Sequence, residues 1–137
     1  MHLYLDASAL IKLIVPERSS DALAELVAGR PVLSAEIAVT ELIRATNRVA
    51  REAPEAAELL RSRLDSALSA VTFLQVDRAT CELAGRLDDP HLRALDAIHV
   101  ACAVAVGDDV EAFVTYDRRQ GHAARATGFE VLAPGLA

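Results

Sequence analysis

The chain has 137 residues, enough for one domain with one core; 53% are hydrophobic, aromatics make up 4% and Trp is absent. Leu, Val, Ile and Ala must therefore fill the core, and so large an apolar share also points to an interface beyond it, such as a dimer or a partner groove. The formal net charge of −6, from 20 acids and 14 bases, argues against a simple basic-patch nucleic-acid binder but not against an enzyme that meets phosphates through cations held by acids.

No segment approaches the roughly 18 uninterrupted apolar residues of a membrane span. The N-terminal stretch has no basic region, and Asp6 and Lys12 interrupt its apolar part, so neither a signal peptide nor membrane attachment is expected and the expected location is cytoplasmic. Cys81 and Cys102 sit in Ala-rich, helical contexts without a C-x-x-C or zinc spacing; two reduced core thiols are expected.

Strand and helix patterns alternate along residues 1–137 with no linker, repeat or low-complexity stretch, which predicts a single α/β domain with a mostly parallel sheet. A first strand covers residues 2–6. A short helix runs from Ser8 to Ile14 and is stopped by Pro16. Ser19 or Ser20 caps a second helix through Ala28, closed by Gly29. Pro31 to Leu33 forms a second strand, and Ser34 caps a long helix to Arg51. Pro54 opens another helix to Ala70, paired with the preceding one as a hairpin. The β-branched run Val71–Val76 is a third strand. Asp77 caps a helix to Leu87, and Asp88-Asp89-Pro90 breaks the chain. Residues 93–106 form a helix apolar nearly all round, hence buried, and Gly107 ends it. Ala112–Thr115 is a fourth strand, Arg118–Thr127 a helix, and Phe129–Leu132 a last strand at an edge.

Most acids lie in charged or loop stretches and read as solvated surface. Four do not. Asp6 ends the apolar run Leu3-Tyr4-Leu5, and Asp117 follows Phe113-Val114-Thr115-Tyr116. Both sit where an open α/β sheet places its ligand crevice, although each is also well placed to cap the helix that follows it. Glu41 shares a helix face with Ile37 and Ala45, either at the border of the apolar stripe or within it. Asp96 is a first-turn acid of the most apolar helix, where the helix dipole alone would favour it. If the four converge, they repel one another, some carboxyls are pushed toward protonation, and a hard divalent cation such as Mg²⁺ or Mn²⁺ is the natural partner. Such a site hydrolyses phosphodiesters. Ser8 and Thr115, each two residues from a strand-end acid, are placed to orient carboxylates; a helix-start Ser and a strand Thr are the plainer reading. No Ser-His-Asp arrangement supports a nucleophilic Ser8. His99 follows Asp96 by three residues and reads as a packed core histidine or a contact to the site. Arg44, Arg48 and Arg51 on the Glu41 helix, and Arg118 and Arg119 after Asp117, read as a solvated basic face or as phosphate contacts.

Four segments, Leu5-Asp6-Ala7-Ser8-Ala9-Leu10-Ile11-Lys12, Thr40-Glu41-Leu42-Ile43-Arg44-Ala45, Leu95-Asp96-Ala97-Ile98-His99-Val100-Ala101 and Thr115-Tyr116-Asp117, together resemble the ordered motifs of the PIN-domain family, in particular its VapC-like toxins. The resemblance covers nearly the whole chain. It implies a three-layer α/β/α sandwich around a parallel sheet and a Mg²⁺- or Mn²⁺-dependent endoribonuclease, usually a homodimer, neutralised by a cognate antitoxin. It implies Asp6, Glu41, Asp96 and Asp117 as the acidic site, with Asp6 and Asp96 the surest metal ligands, and Ser8 and Thr115 as supporting hydroxyls. No further acid lies close after Asp117, and the family's last acid varies in position. Two other classes compete. A haloacid-dehalogenase-like phosphatase wants Asp-x-Asp, and Ser8 stands at its second acid's place. A non-catalytic acidic module would bind a protein or RNA and need no convergence of the acids.

Overall fold

A computed structural model describes residues 1–136. Its frame is a five-stranded sheet, all parallel, in the order β3-β2-β1-β4-β5. The strands are β1 (His2–Leu5), β2 (Val32–Ala35), β3 (Thr72–Leu74), β4 (Val110–Val114) and β5 (Val131–Leu132). The helices are α1 (Ala7–Leu10), α2 (Ser20–Val27), α3 (Ile37–Glu52), α4 (Ala57–Ala70), α5 (Arg78–Gly85), α6 (Ala94–Val106) and α7 (Arg118–Ala126).

Successive side chains on a strand face opposite sides, and the central strands use that alternation to found two cores. Leu3 and Leu5 of β1, with Ala112 and Val114 of β4, pack with Leu10, Leu23, Leu42 and Leu64 from α1 to α4. Tyr4 and Phe113 face the other way, against Val100, Ala103, Ala123 and Ala124 from α6 and α7. α5 covers α6 through Ala84, Ala97 and Ala101. The result is the expected α/β/α sandwich. Leu3, Tyr4, Leu5, Phe113 and Val114 are fully buried, and each such aliphatic side chain stabilises the fold by roughly 1.5–3 kcal/mol.

The strand order places the site. From β1 the chain steps outward to β2 and β3, then crosses to β1's other side for β4 and β5. The crevice of an open parallel sheet lies at that reversal, outside the carboxyl ends of the strands. The register Leu5↔Val114 brings the residues after β1 and β4 side by side there.

Several expected boundaries move. Ser34 does not cap α3: it is the third residue of β2, paired with Phe73, and β2 runs on to Ala35 because its ladder with β3 extends that far. Glu36 takes the helix-start position without a side-chain cap. The first helix tightens after Leu10 into one 3₁₀ turn, Ile11–Leu13, and the Pro54 helix likewise begins with a 3₁₀ turn, Pro54–Ala56. β3 and β5 are shorter than the expected Val71–Val76 and Phe129–Leu132, because each pairs with a neighbour on one side only. α6 is not buried all round: Ala94 and Ala105 are exposed and Leu95 is half exposed, because neither the sheet nor α5 covers its outer ends. Cys102 is buried as expected, but Cys81 is exposed on the outer side of α5. Asp77 caps α5 as expected, accepting from the Thr80 amide at 2.9 Å, and Gly107 ends α6 at φ 78°, a conformation that favours glycine. Among the described residues, no helix is long and apolar enough to cross a membrane.

Candidate active site

Asp6 is the first residue past β1 and is 1% exposed. Its Oδ1 accepts from the Ala9 amide at 3.0 Å and from the Ser8 hydroxyl at 2.6 Å. Its Oδ2 accepts from the Thr115 hydroxyl at 2.5 Å. The capping role left open from sequence is therefore real. It also has a second side: Ser8 and Thr115 are not capping groups, and both aim hydroxyls at this one carboxylate. They are themselves held. The Ser8 Oγ accepts from the Tyr116 amide at 3.0 Å, and the Thr115 Oγ1 accepts from the Asp117 amide at 3.1 Å. The ends of β1 and β4 are thus stitched into one polar seam.

Burial pushes the Asp6 carboxyl up from its ordinary range. The Ser8 and Thr115 hydroxyls, the nearby His99 ring and the Ala9 amide oppose that rise without cancelling it. Desolvation, rather than the like-charge repulsion expected from sequence, is what makes this acid costly.

Asp117 caps α7, its Oδ1 accepting from the amides of Arg119 at 2.9 Å and Gln120 at 3.2 Å. Asp96 lies in the first turn of α6. The Gln120 side-chain amide donates to the Asp96 carbonyl at 3.2 Å, tying α7 to that turn. The Asp96 carboxyl is also raised, first by burial and then by the Asp117 charge, with Glu41 adding to it. Asp117 and Glu41 therefore each lie within electrostatic reach of Asp96, and His99 within reach of both Asp6 and Asp96. Asp96 and Asp117 share a cleft of about 340 Å³ with Arg93, Arg118 and Arg119. Glu41 lines a groove of about 450 Å³ with Ser8 on the α1–α3 side.

Glu41 reaches the cluster from α3 and bonds the ring of His99, Oε1 to Nε2 at 2.8 Å. The other ring nitrogen, Nδ1, lies 2.8 Å from the Tyr4 hydroxyl. His99 is 1% exposed, so it is a packed core histidine and a contact to the site at once.

Sequence reasoning missed Tyr4 and Gln120. A buried Tyr needs a partner for its hydroxyl, but nothing local pairs Tyr4 with a ring 95 positions away. Gln120 is 2% exposed; its place one helical turn after Asp117 was the available signal.

Among the described residues, none of the four acids is paired with Lys or Arg, and no three His, Cys, Asp or Glu side chains form a ready-made cage. All-oxygen donors, among them a buried Asp6 and an Asp96 raised by its acidic neighbours, suit a hard divalent cation. Mg²⁺ in particular keeps several waters and takes one or two carboxylates directly. The donor set fits such an ion.

The PIN-domain family model matches residues 3–126. The chain belongs to the PIN-domain family. Among curated relatives, this PIN domain is 39% identical to Ribonuclease VapC46 of Mycobacterium tuberculosis over 133 residues, covering 96% of this chain and 97% of that one. It is 38% identical to Ribonuclease VapC35 of the same species, covering 98% of each. Among solved structures it resembles VapBC2 from Rickettsia felis, crystallised with a promoter DNA fragment, at a TM-score of 0.68 and 16% identity, covering 96% of this chain and 98% of that one. It also resembles Mycobacterium tuberculosis VapC20, a toxin that cleaves the sarcin-ricin loop, at a TM-score of 0.66 and 18% identity over 96% and 99% of the two chains.

Proposed function

We propose that this chain is a metal-dependent endoribonuclease, the toxin of a toxin–antitoxin pair, acting at the cleft of Asp6, Glu41, Asp96 and Asp117. The observation that carries the reading is that Asp96 feels the charges of Asp117 and Glu41, that His99 links Glu41 to the surroundings of Asp6, and that among the described residues none of these acids has a Lys or Arg partner. The full-length likeness to VapC ribonucleases supports it.

Asp6 and Asp96 are the principal ligands for Mg²⁺ or Mn²⁺, with Glu41 and Asp117 contributing. When bound, such a cation lowers the pKa of the attacking water and stabilises charge on the phosphate. The chain's own residues do the rest. Ser8 and Thr115 hold both oxygens of Asp6 in place. Gln120 fixes the spacing between the Asp96 turn and the start of α7. Arg93, Arg118 and Arg119 flank the two acids and bind the RNA backbone. Arg118 and Arg119 also border a neighbouring cavity of about 750 Å³, floored by Leu87, Ala123 and Ala126, which has room for a flanking nucleotide.

The antitoxin is proposed by analogy with the VapBC2 pair. The α1–α3 groove beside the site, with apolar walls at Ile11, Val15, Leu42 and Val49, suits it. Exposed Ile43 and Leu59 on α3 and α4 suit a homodimer contact. The proposed location is the cytoplasm.

The test is cleavage of a mixed RNA pool with Mg²⁺, with Mn²⁺ and with chelator, by wild type, Asp6→Asn and Asp96→Asn. Cutting should require metal and be lost in both variants. Metal-dependent cutting that survives both changes would place the site elsewhere, and no cutting by any form would favour the non-catalytic module.

A further inference from the structure

Tyr4, His99 and Glu41 form one hydrogen-bonded chain from the core to the cleft. Tyr4 is fully buried, in the middle of β1, its ring stacked on Phe113 with centroids 4.9 Å apart. Its hydroxyl meets the Nδ1 edge of the His99 ring. A carboxylate oxygen only accepts, so the His99 Nε2–H donates to Glu41 Oε1. In a neutral imidazole that is the single ring proton, so Nδ1 accepts from the Tyr4 hydroxyl. Each link is 2.8 Å long. The two inner members are sealed from solvent, while the Glu41 side chain is 27% exposed at the cleft. A Glu side chain has three rotatable bonds, and fixing it costs rotamer freedom. On the surface of α3 nothing else bonded to the Glu41 carboxylate fixes it, among the described residues.

We infer that Tyr4 and His99 are positioning residues for Glu41: the buried Tyr4 hydroxyl holds the imidazole at its Nδ1 edge, and the imidazole aims one Glu41 oxygen into the core, leaving the other for the cleft. The inference rests on the reading that Glu41 belongs to the site. It assigns the two residues no contact with RNA.

The test uses matched substitutions. Tyr4→Phe removes the hydroxyl and keeps the stack on Phe113. His99→Asn places a polar group near the Nδ1 position but cannot reach Glu41. His99→Gln places an amide donor near the Nε2 position and can. The measurements are Mn²⁺ affinity of each variant by calorimetry, kcat and KM on a defined RNA, and Tm without metal. Groups that orient ligating carboxylates typically contribute tenfold to a hundredfold in affinity or activity. Tyr4→Phe and His99→Asn should therefore lower Mn²⁺ affinity and kcat about tenfold or more, with KM nearly unchanged, and His99→Gln should recover most of the loss. In a Glu41→Gln background His99→Asn should cost little more, since the two act through one another.

Two failures are separable. If Glu41→Gln itself leaves Mn²⁺ binding and kcat intact, the assignment of Glu41 to the site is wrong. If Glu41→Gln is crippling but His99→Asn and Tyr4→Phe only lower Tm, leaving Mn²⁺ affinity at the wild-type value, the positioning role is refuted. Equal losses in His99→Gln and His99→Asn would also overturn it, because a purely structural histidine gains nothing from a donor at the Nε2 position.

Discussion

Replacing Thr115 with Val removes one atom from the seam between β1 and β4 and keeps the side chain's shape. Thr115 is 3% exposed, so no water can take the hydroxyl's place at low cost. Two hydrogen bonds are lost: the one donated to Asp6 Oδ2 at 2.5 Å, and the one accepted from the Asp117 amide at 3.1 Å. The first goes to a carboxylate and contributes about 1.5–3 kcal/mol; the second, between neutral groups, about 0.5–1.5 kcal/mol. The variant should lose about 2–4 kcal/mol in urea unfolding at pH 7.5 with chelator present, a fall of roughly 10 °C in Tm for a domain of this size. The loss should also depend on pH. The folded Asp6 carboxyl is raised, chiefly by burial, so its ionisation weakens the fold as pH climbs from the ordinary carboxylate range through the raised value. Thr115 is one of the groups opposing that rise. Without it the carboxyl moves higher, so the deficit is larger at pH 7.5 than at pH 4. A deficit under about 0.5 kcal/mol, or one that is equal at both pH values, would refute the claim that Thr115 holds a buried carboxylate.

Asp117→Asn keeps the cap on α7, because Asn serves that position as well as Asp, but removes a charge that raises the Asp96 carboxyl. NMR titration of Asp96 should show it moving toward its ordinary value, and the metal-free protein should gain stability at neutral pH but not near pH 3, where the carboxyl is protonated in both forms; an unmoved Asp96 would separate the two acids. Arg118→Ala with Arg119→Ala should raise KM for RNA with kcat largely kept, and should flatten the salt dependence of binding by about 0.7 per arginine for a single strand. An unchanged slope would remove these side chains from the RNA path. Ellman's reagent should modify exposed Cys81 promptly and leave Cys102, whose thiol burial pushes up to about 11, unreacted until unfolding. Rapid loss of two thiols in native buffer would contradict the packing of α6.

The alternation of apolar runs was enough to place the strands of a mostly parallel sheet, the helices between them and the stop at Gly107, because strand and helix periods are local properties; the three-layer arrangement was implied only by the resemblance to the PIN-domain family. Ser34 misled because a serine before an apolar helical run is a good cap in isolation; only the β2–β3 ladder, a non-local contact, draws it into the strand. The four acids stood out because each interrupts an apolar pattern. Their energetics were less visible. From sequence Asp6 looked costly for being near other acids, whereas in the fold it is costly for being out of water. The capping and active-site readings also looked like alternatives, and Asp6 performs both, since a carboxylate has two oxygens and more than one face. The roles of Tyr4 and Gln120, and the partners of His99, were out of reach for one reason: the groups they bond lie on other elements, 24 to 95 residues away.

The most direct test of the account is where Mn²⁺ sits in a crystal of the wild-type protein, located by its anomalous scattering. The account predicts a peak in contact with the carboxylates of Asp6 or Asp96, within the cleft that Glu41 and Asp117 complete, and no such peak in Asp96→Asn. A peak elsewhere, or an empty cleft in protein that cleaves RNA under the same Mn²⁺ concentration, would contradict it.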